Sequence, residues 1–283
     1  MLKRTVTGLV LVLICIPVII FSHTYVLPVF MSILSIIGTY EMLRCLGTYK
    51  NPLITVPVLI VAAAFPILAR FICDVKNINY FTATYLAILM LTLFLMLAAG
   101  VFSKKTDVVD SAVTFSLCMY IITGFVSIVL LRNEKYGEYY FLIPVVAPLT
   151  CDIFAYLTGR LFGRHKLIPE VSPKKTVEGA IGGTLFCILI CTGYGLFLRH
   201  ALELEYILPW WTFVIGGLLI AVVSQIGDLV ASLIKRRYGI KDYGKLLPGH
   251  GGIVDRFDSV IPTAPLFLIL IIFFKNVLFK GVL

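Results

Sequence analysis

The chain has 283 residues, 60% of them hydrophobic and only 14% charged, with a formal net charge of +9 and a mean hydropathy of +1.01. A water-soluble domain of this length needs far more polar surface, and no long hydrophilic segment remains to form one, so the composition defines an integral membrane protein. The positive balance suits membrane topology, anionic headgroups and phosphates, and no nucleic-acid partner is expected.

Runs of roughly 18 or more apolar residues can cross a bilayer as helices, because ~20 residues at ~1.5 Å rise cover its hydrocarbon layer. Nine such runs occur in chain order, near 5–22, 24–43, 53–71, 81–102, 111–131, 140–163, 178–198, 210–234 and 259–279. They predict an all-α polytopic membrane protein with about nine transmembrane helices. The first run follows Lys3 and Arg4 as a signal peptide would, but no small-x-small cleavage site follows it, so it is read as retained. The seven cysteines are scattered through apolar runs without CxxC or Cys/His spacing and read as small buried hydrophobes.

Threading the nine runs alternately puts 17 of the 24 basic residues at one set of ends. The other set keeps Arg70, Lys76, Arg132, Lys135, Arg199, Lys275 and Lys280. The positive-inside rule then predicts a cytoplasmic N-terminus and an outward C-terminus. The basic set includes Lys104 and Lys105 and both polar loops, Arg164–Gly179 and Lys241–Ser259, which would face cytoplasmic nucleotides.

The expected organisation is uneven. Residues 1–131 read as scaffold helices with one membrane-embedded or juxtamembrane acid, Glu41, and residues 132–283 as the catalytic region. No internal repeat of the kind that marks transporter halves is visible. In the second region Asp152 shares a helical stripe with Tyr156, Gly159 and Arg160. Ser224, Asp228, Ser232 and Lys235 fall within roughly 80° of arc on another helix. A charge at the bilayer centre costs at least ~2.5 kcal/mol, so such acids face a hydrated cavity or cationic partners. A structural ion pair is the plainer reading of Asp152.

In the loop after residue 240, Asp242, Asp255 and Asp258 alternate with Lys241, Lys245, His250 and Arg256, close behind Lys235, Arg236 and Arg237. Mixed signs at this density suit a hard divalent cation bridged to phosphates. The glycines of PGHGG, residues 248–252, let a backbone approach a phosphate. Asp258 before Ser259 also suits a helix N-cap. The earlier loop places Ser172, Lys174, Lys175 and Thr176 ahead of a helix start, a place for an anion or simply a solvated basic loop. A Walker pattern is absent.

Several spacings together resemble a known family. They are Ser232-x-x-Lys235-Arg236, Lys241-Asp242, and Pro248-Gly249-His250-Gly251-Gly252-x-x-Asp255-Arg256-x-Asp258. Upstream stand Asp152, Tyr156, Gly159-Arg160, SPKKTxEG from Ser172 to Gly179, and Gly227-Asp228. The set resembles the phosphatidate cytidylyltransferases, or CDP-diacylglycerol synthases, across about 110 residues, while the first 130 match only in being apolar. Val177 stands where many members carry an aromatic residue.

The resemblance implies transfer of the cytidylyl group of CTP to phosphatidic acid, with Mg2+ and either one metal site or two, the second cation unspecified. It also implies a bacterial inner-membrane enzyme with a cytoplasmic active site, and a homodimer. Asp228 and Asp255 are expected to hold metal, with Asp258 and Asp152 as further ligands or as groups that support the ligands from behind. Lys174, Lys175, Lys235, Arg236, Lys241, His250, Arg256, Gly251 and Gly252 are expected at phosphates. Ser172 and Ser232 are candidate contacts to phosphate or to a metal-bound water, and Tyr156 and Arg160 candidates at the lipid-headgroup entrance. Lys241 and His250 are also counted with the catalytic groups. The competing readings are a CTP-dependent lipid-alcohol kinase, which would need a base for its hydroxyl, and an ion-coupled transporter, which should carry polar groups through to the outer leaflet.

Overall fold

The computed structural model describes residues 2–74, 78–103, 106–201 and 208–279. Lys76, Lys104, Lys105 and Lys280, counted above for topology, lie outside them. The chain is almost wholly helical, as lipid requires, since a helix satisfies its own backbone hydrogen bonds where no water is available. In order the helices are α1 (Leu2–Ile20), α2 (Val26–Leu46), α3 (Pro52–Asp74), α4 (Ile78–Phe102), α5 (Val108–Asn133), the one-turn α6 (Gly137–Tyr140), α7 (Ile143–Phe162), α8 (Val177–Ala201), α9 (Trp210–Arg237), the one-turn α10 (Val254–Phe257) and α11 (Val260–Leu278).

Among the described residues, eight helices are long and apolar enough to span a membrane, and they correspond to the second through ninth expected runs. In α1 only Thr7–Ile20 is described as apolar helix, shorter than the others. The helix ends follow local chemistry. Gly47 closes α2 with a left-handed φ of 76°, its N–H donating to the Arg44 carbonyl. Asn51 Oδ1 accepts from Leu53 N–H ahead of α3, and Asp107 accepts from Asp110 N–H at the start of α5.

Two compact units divide the chain. The first takes residues 1–138 together with 237–257, and the second takes 139–236 together with 258–283. The glycine-rich loop, residues 248–252, falls in the first unit.

In the first unit α2, α3, α4 and α5 pack around Leu43, Ile54, Val58, Ala62, Ile121 and Ile122, all fully buried. Asn51 Nδ2 ties one end of this bundle together by donating to Thr106 Oγ1 at 2.8 Å. At the other end Arg132 donates to Ser22 Oγ at 3.0 Å and pairs with Glu138 at 3.5 Å.

In the second unit α7 lies against α8 with almost no side chain between the backbones at Gly159, Gly179 and Gly183. A Cβ on Gly179 would meet the Ala155 carbonyl at 2.6 Å, and one on Gly183 the Cys151 carbonyl at 2.7 Å. Small residues permit such contact where lipid offers no hydrophobic drive to helix association. Between α7 and α8 the chain forms an antiparallel hairpin of β1 (Lys166–Ile168) and β2 (Ser172–Thr176). The sequence suggested only a loop there. Thr176 Oγ1 then accepts from Gly179 N–H at 3.1 Å and caps α8.

Candidate active site

The second unit gathers its charge around Asp228. On α9, Asp228 Oδ2 lies 2.5 Å from Lys175 Nζ, which the last residues of the β hairpin deliver, and both side chains are about a quarter exposed. One turn further along α9, Ser232 Oγ donates to Asp228 Oδ1 at 3.4 Å, whereas Ser224 Oγ donates to the Ala221 carbonyl at 3.0 Å. From α7, Asp152 Oδ2 accepts from Ser259 Oγ at 3.5 Å.

Asp258 sits just ahead of α11 and accepts from Ser259 N–H at 2.8 Å through Oδ1. That bond reaches only the next residue, so Asp258 does not make the ordinary N-cap bond to the first turn of α11, and Ser259 makes no side-chain cap either. Burial first, then the charge of Asp228 and more weakly that of Asp152, push its carboxyl up to about 7, against the opposing pull of Lys235. Three carboxylates therefore repel one another in one half-buried place.

The approach of α11 to α9 has a local cause. A Cβ on Gly227 would come within 2.6 Å of Pro262 and 2.8 Å of the Asp258 carbonyl, so the glycine beside Asp228 is what lets Asp258 come near.

The donor set suits magnesium in kind, being hard carboxylate oxygens beside a lysine that already pairs with one of them. Among the described residues no three acidic, histidine or cysteine side chains are grouped closely enough to hold a metal ion by themselves. Mg2+ does not require such a group, since it keeps several waters and is commonly held by one or two carboxylates plus substrate phosphates. Lys235 is half-buried, Lys174, Arg236, Tyr156 and Arg160 are exposed, and Ser172 pairs with Ile168 in the hairpin.

The first unit holds the other expected group. There Leu247 and Gly251 bridge across the PGHGG turn: Leu247 N–H donates to the Gly251 carbonyl at 2.9 Å, and the Leu247 carbonyl accepts from His250 and Gly251 N–H at 2.9 and 3.1 Å. Gly251 has φ 87°, a conformation that side chains other than glycine's seldom tolerate. Asp255, only 6% exposed, accepts from Tyr243 N–H at 2.8 Å and Gly252 N–H at 2.9 Å through Oδ2.

The N–H groups of His250, Gly251 and Gly252 are thus engaged within the loop. Lys241, Lys245 and Arg256 are exposed, and His250 is half-exposed with Nδ1 buried and without a partner among the described residues. Asp242 is exposed.

Sequence reasoning passed over Glu41. On α2, only 4% exposed, it accepts from Ile253 N–H at 3.1 Å through Oε1 and from Val254 N–H at 3.0 Å through Oε2. An acid placed near the end of an apolar helix was the one signal available.

A polytopic helical membrane protein that pairs a lysine with one carboxylate and sets two more acids near it has the charge pattern of a membrane enzyme that handles phosphates. More narrowly, the sequence matches the Cytidylyltransferase family over residues 2–274, and the chain belongs to that family. A phosphatidate cytidylyltransferase of Staphylococcus haemolyticus is 36% identical over 273 residues, covering 95% of this chain and 98% of that protein. One of Staphylococcus aureus strain COL is 34% identical over 270 residues, with the same coverage. One of Staphylococcus saprophyticus is 39% identical over 180 residues, covering 63% and 66%.

Proposed function

We propose that the protein transfers the cytidylyl group of CTP to phosphatidic acid, giving CDP-diacylglycerol and pyrophosphate. The family match along nearly the whole chain supports this reading, and the observation that carries it to particular residues is the Lys175–Asp228 pair flanked by Asp152 and Asp258. The basic residues gathered at one set of helix ends support a cytoplasmic active site in a bacterial inner membrane. A homodimer accords with the family resemblance.

The reaction forms a bond from a lipid phosphate oxygen to the α-phosphorus of CTP and breaks the bond from that phosphorus to the β-bridging oxygen, releasing pyrophosphate. A phosphate monoester is already anionic near neutrality, so no side chain must deprotonate the nucleophile. The protein has instead to bring two anions together and hold them in line. Lys175, Lys235, Lys174 and Arg236 in the second unit are the cations proposed to screen that repulsion, and Lys241, His250 and Arg256, on the glycine-rich loop of the first unit, are proposed phosphate contacts on the strength of the family resemblance. Mg2+, when bound, would supply Lewis-acid neutralisation of the phosphate oxygens, with Asp228 and Asp258 as its holders and Asp152 beside them. Asp255, an expected ligand from sequence, is proposed to act chiefly by fixing the loop, since two backbone donors occupy its Oδ2.

The test is to incubate purified protein with CTP, Mg2+ and phosphatidic acid, and separately with diacylglycerol. Pyrophosphate and CDP-diacylglycerol formed only with phosphatidic acid are the expected result. Release of CDP with diacylglycerol would identify a lipid-alcohol kinase and overturn the proposal.

A further inference from the structure

We propose that Glu41, in the half of the chain that carries no motif, is a positioning residue for cytidylyl transfer, holding the backbone of residues 252–254 so that the loop bearing Lys241, His250 and Arg256 keeps its shape. This rests on the functional reading above. A carboxylate buried in an apolar bundle is costly unless its oxygens are satisfied. Glu41 meets that need with two successive backbone N–H groups, those of Ile253 and Val254, at 3.1 and 3.0 Å. These are amides at the start of a one-turn helix, which the backbone itself leaves without partners.

The fit is built from both sides. Gly244 and Gly252 both pack against the Glu41 carboxylate, where a Cβ on either would collide with it. Asp255 continues the same arrangement by accepting from Gly252 and Tyr243. Two carboxylates, one from α2 and one from the loop, therefore bind four loop amides and fix the path from Tyr243 to Val254. Thr39, Met42 and Leu43, near Glu41 on α2, are buried with it.

What needs the charge is a loop whose cations stand exposed at its surface, because a displacement of about an ångström at a phosphate-binding group can cost on the order of a hundredfold in rate. Replacing Glu41 by Gln keeps the shape but turns an N–H2 toward one of the two amides. Replacing it by Asp keeps both acceptors on a stem one methylene shorter.

The experiment compares wild type, Glu41→Gln and Glu41→Asp as purified full-length proteins. It measures kcat per folded molecule for CDP-diacylglycerol formation, melting temperature, and deuterium uptake by peptides spanning 243–257. Glu41→Gln is expected to lose about tenfold or more in kcat, with faster uptake confined to that segment, and Glu41→Asp to recover part of the loss. Wild-type kcat in Glu41→Gln would overturn the proposal. So would a loss of activity in both variants that follows only the loss of folded protein. If Glu41→Gln does not fold, the same criteria applied to Glu41→Asp decide. Should the wild type make no CDP-diacylglycerol, the functional reading fails by itself, and the uptake data still report whether Glu41 holds the loop.

Discussion

Lys175 and Asp228 each have a partner at 2.5 Å, and each depends on the other for being tolerated a short way below the surface. Removing one member of such a pair leaves an uncompensated charge, which is worse than never having had the pair. Lys175→Met should therefore lower kcat/KM for CTP by about a hundredfold or more, equivalent to ~2.7 kcal/mol of transition-state stabilisation, and steady-state kinetics would show it. Asp258 is the opposite case. Its neighbours Asp228 and Asp152 repel it and burial disfavours its charge, so in chelator-treated protein it works against the fold. Asp258→Asn is expected to raise the melting temperature in EDTA while lowering turnover in Mg2+, and to shrink the rise in melting temperature that Mg2+ gives the wild type. A variant that melts lower in EDTA would mean that Asp258 is held by attraction rather than tolerated for function.

Between elements, the contact that matters most for the candidate site is α9 against α11. Gly227→Ala places a methyl group against Pro262 and the Asp258 carbonyl, and neither atom is the free end of a flexible side chain. The helices must separate, at a cost of about 1–3 kcal/mol by the usual scale of overpacking. The melting temperature should fall, and activity should fall further than Ala substitution at Gly193, where nothing lies within 4 Å, would cause. The helices themselves were legible in the sequence because a span needs only an unbroken apolar run, and α2 to α5, α7 to α9 and α11 fall where such runs predict. The stripe of Asp228 and Ser232 was legible for the same reason, being set by helical periodicity. The pairing of Lys175 with Asp228 was not, since 53 positions separate the two and no local rule links a hairpin end to a helix face. Glu41 was less legible still: its partners are the amides of Ile253 and Val254, more than 200 positions away, and backbone donors leave no trace in residue identity. The β1–β2 hairpin was hidden because three- and five-residue strands in a basic loop carry no alternating apolar pattern.

For the molecule as a whole, the direction of insertion decides whether the proposed chemistry can meet its nucleotide at all. CTP is made and held in the cytoplasm and does not cross a bilayer, so the proposed chemistry requires the lysine-bearing ends of the chain on that side. The charge count argues for this, because a basic residue near a span end resists translocation whereas an acidic one contributes little. Lys245, in the glycine-rich loop, and Lys135, between α5 and α6, are both solvent-facing and belong to opposite sets of ends. In a background whose native cysteines are replaced, Lys245→Cys should remain unlabelled by a membrane-impermeant maleimide in intact bacterial spheroplasts and react once they are lysed. Lys135→Cys should react in both conditions. The converse pattern would put the carboxylate cluster and its lysines on the side that CTP does not reach, and cytidylyl transfer by these residues would then be impossible whatever their geometry.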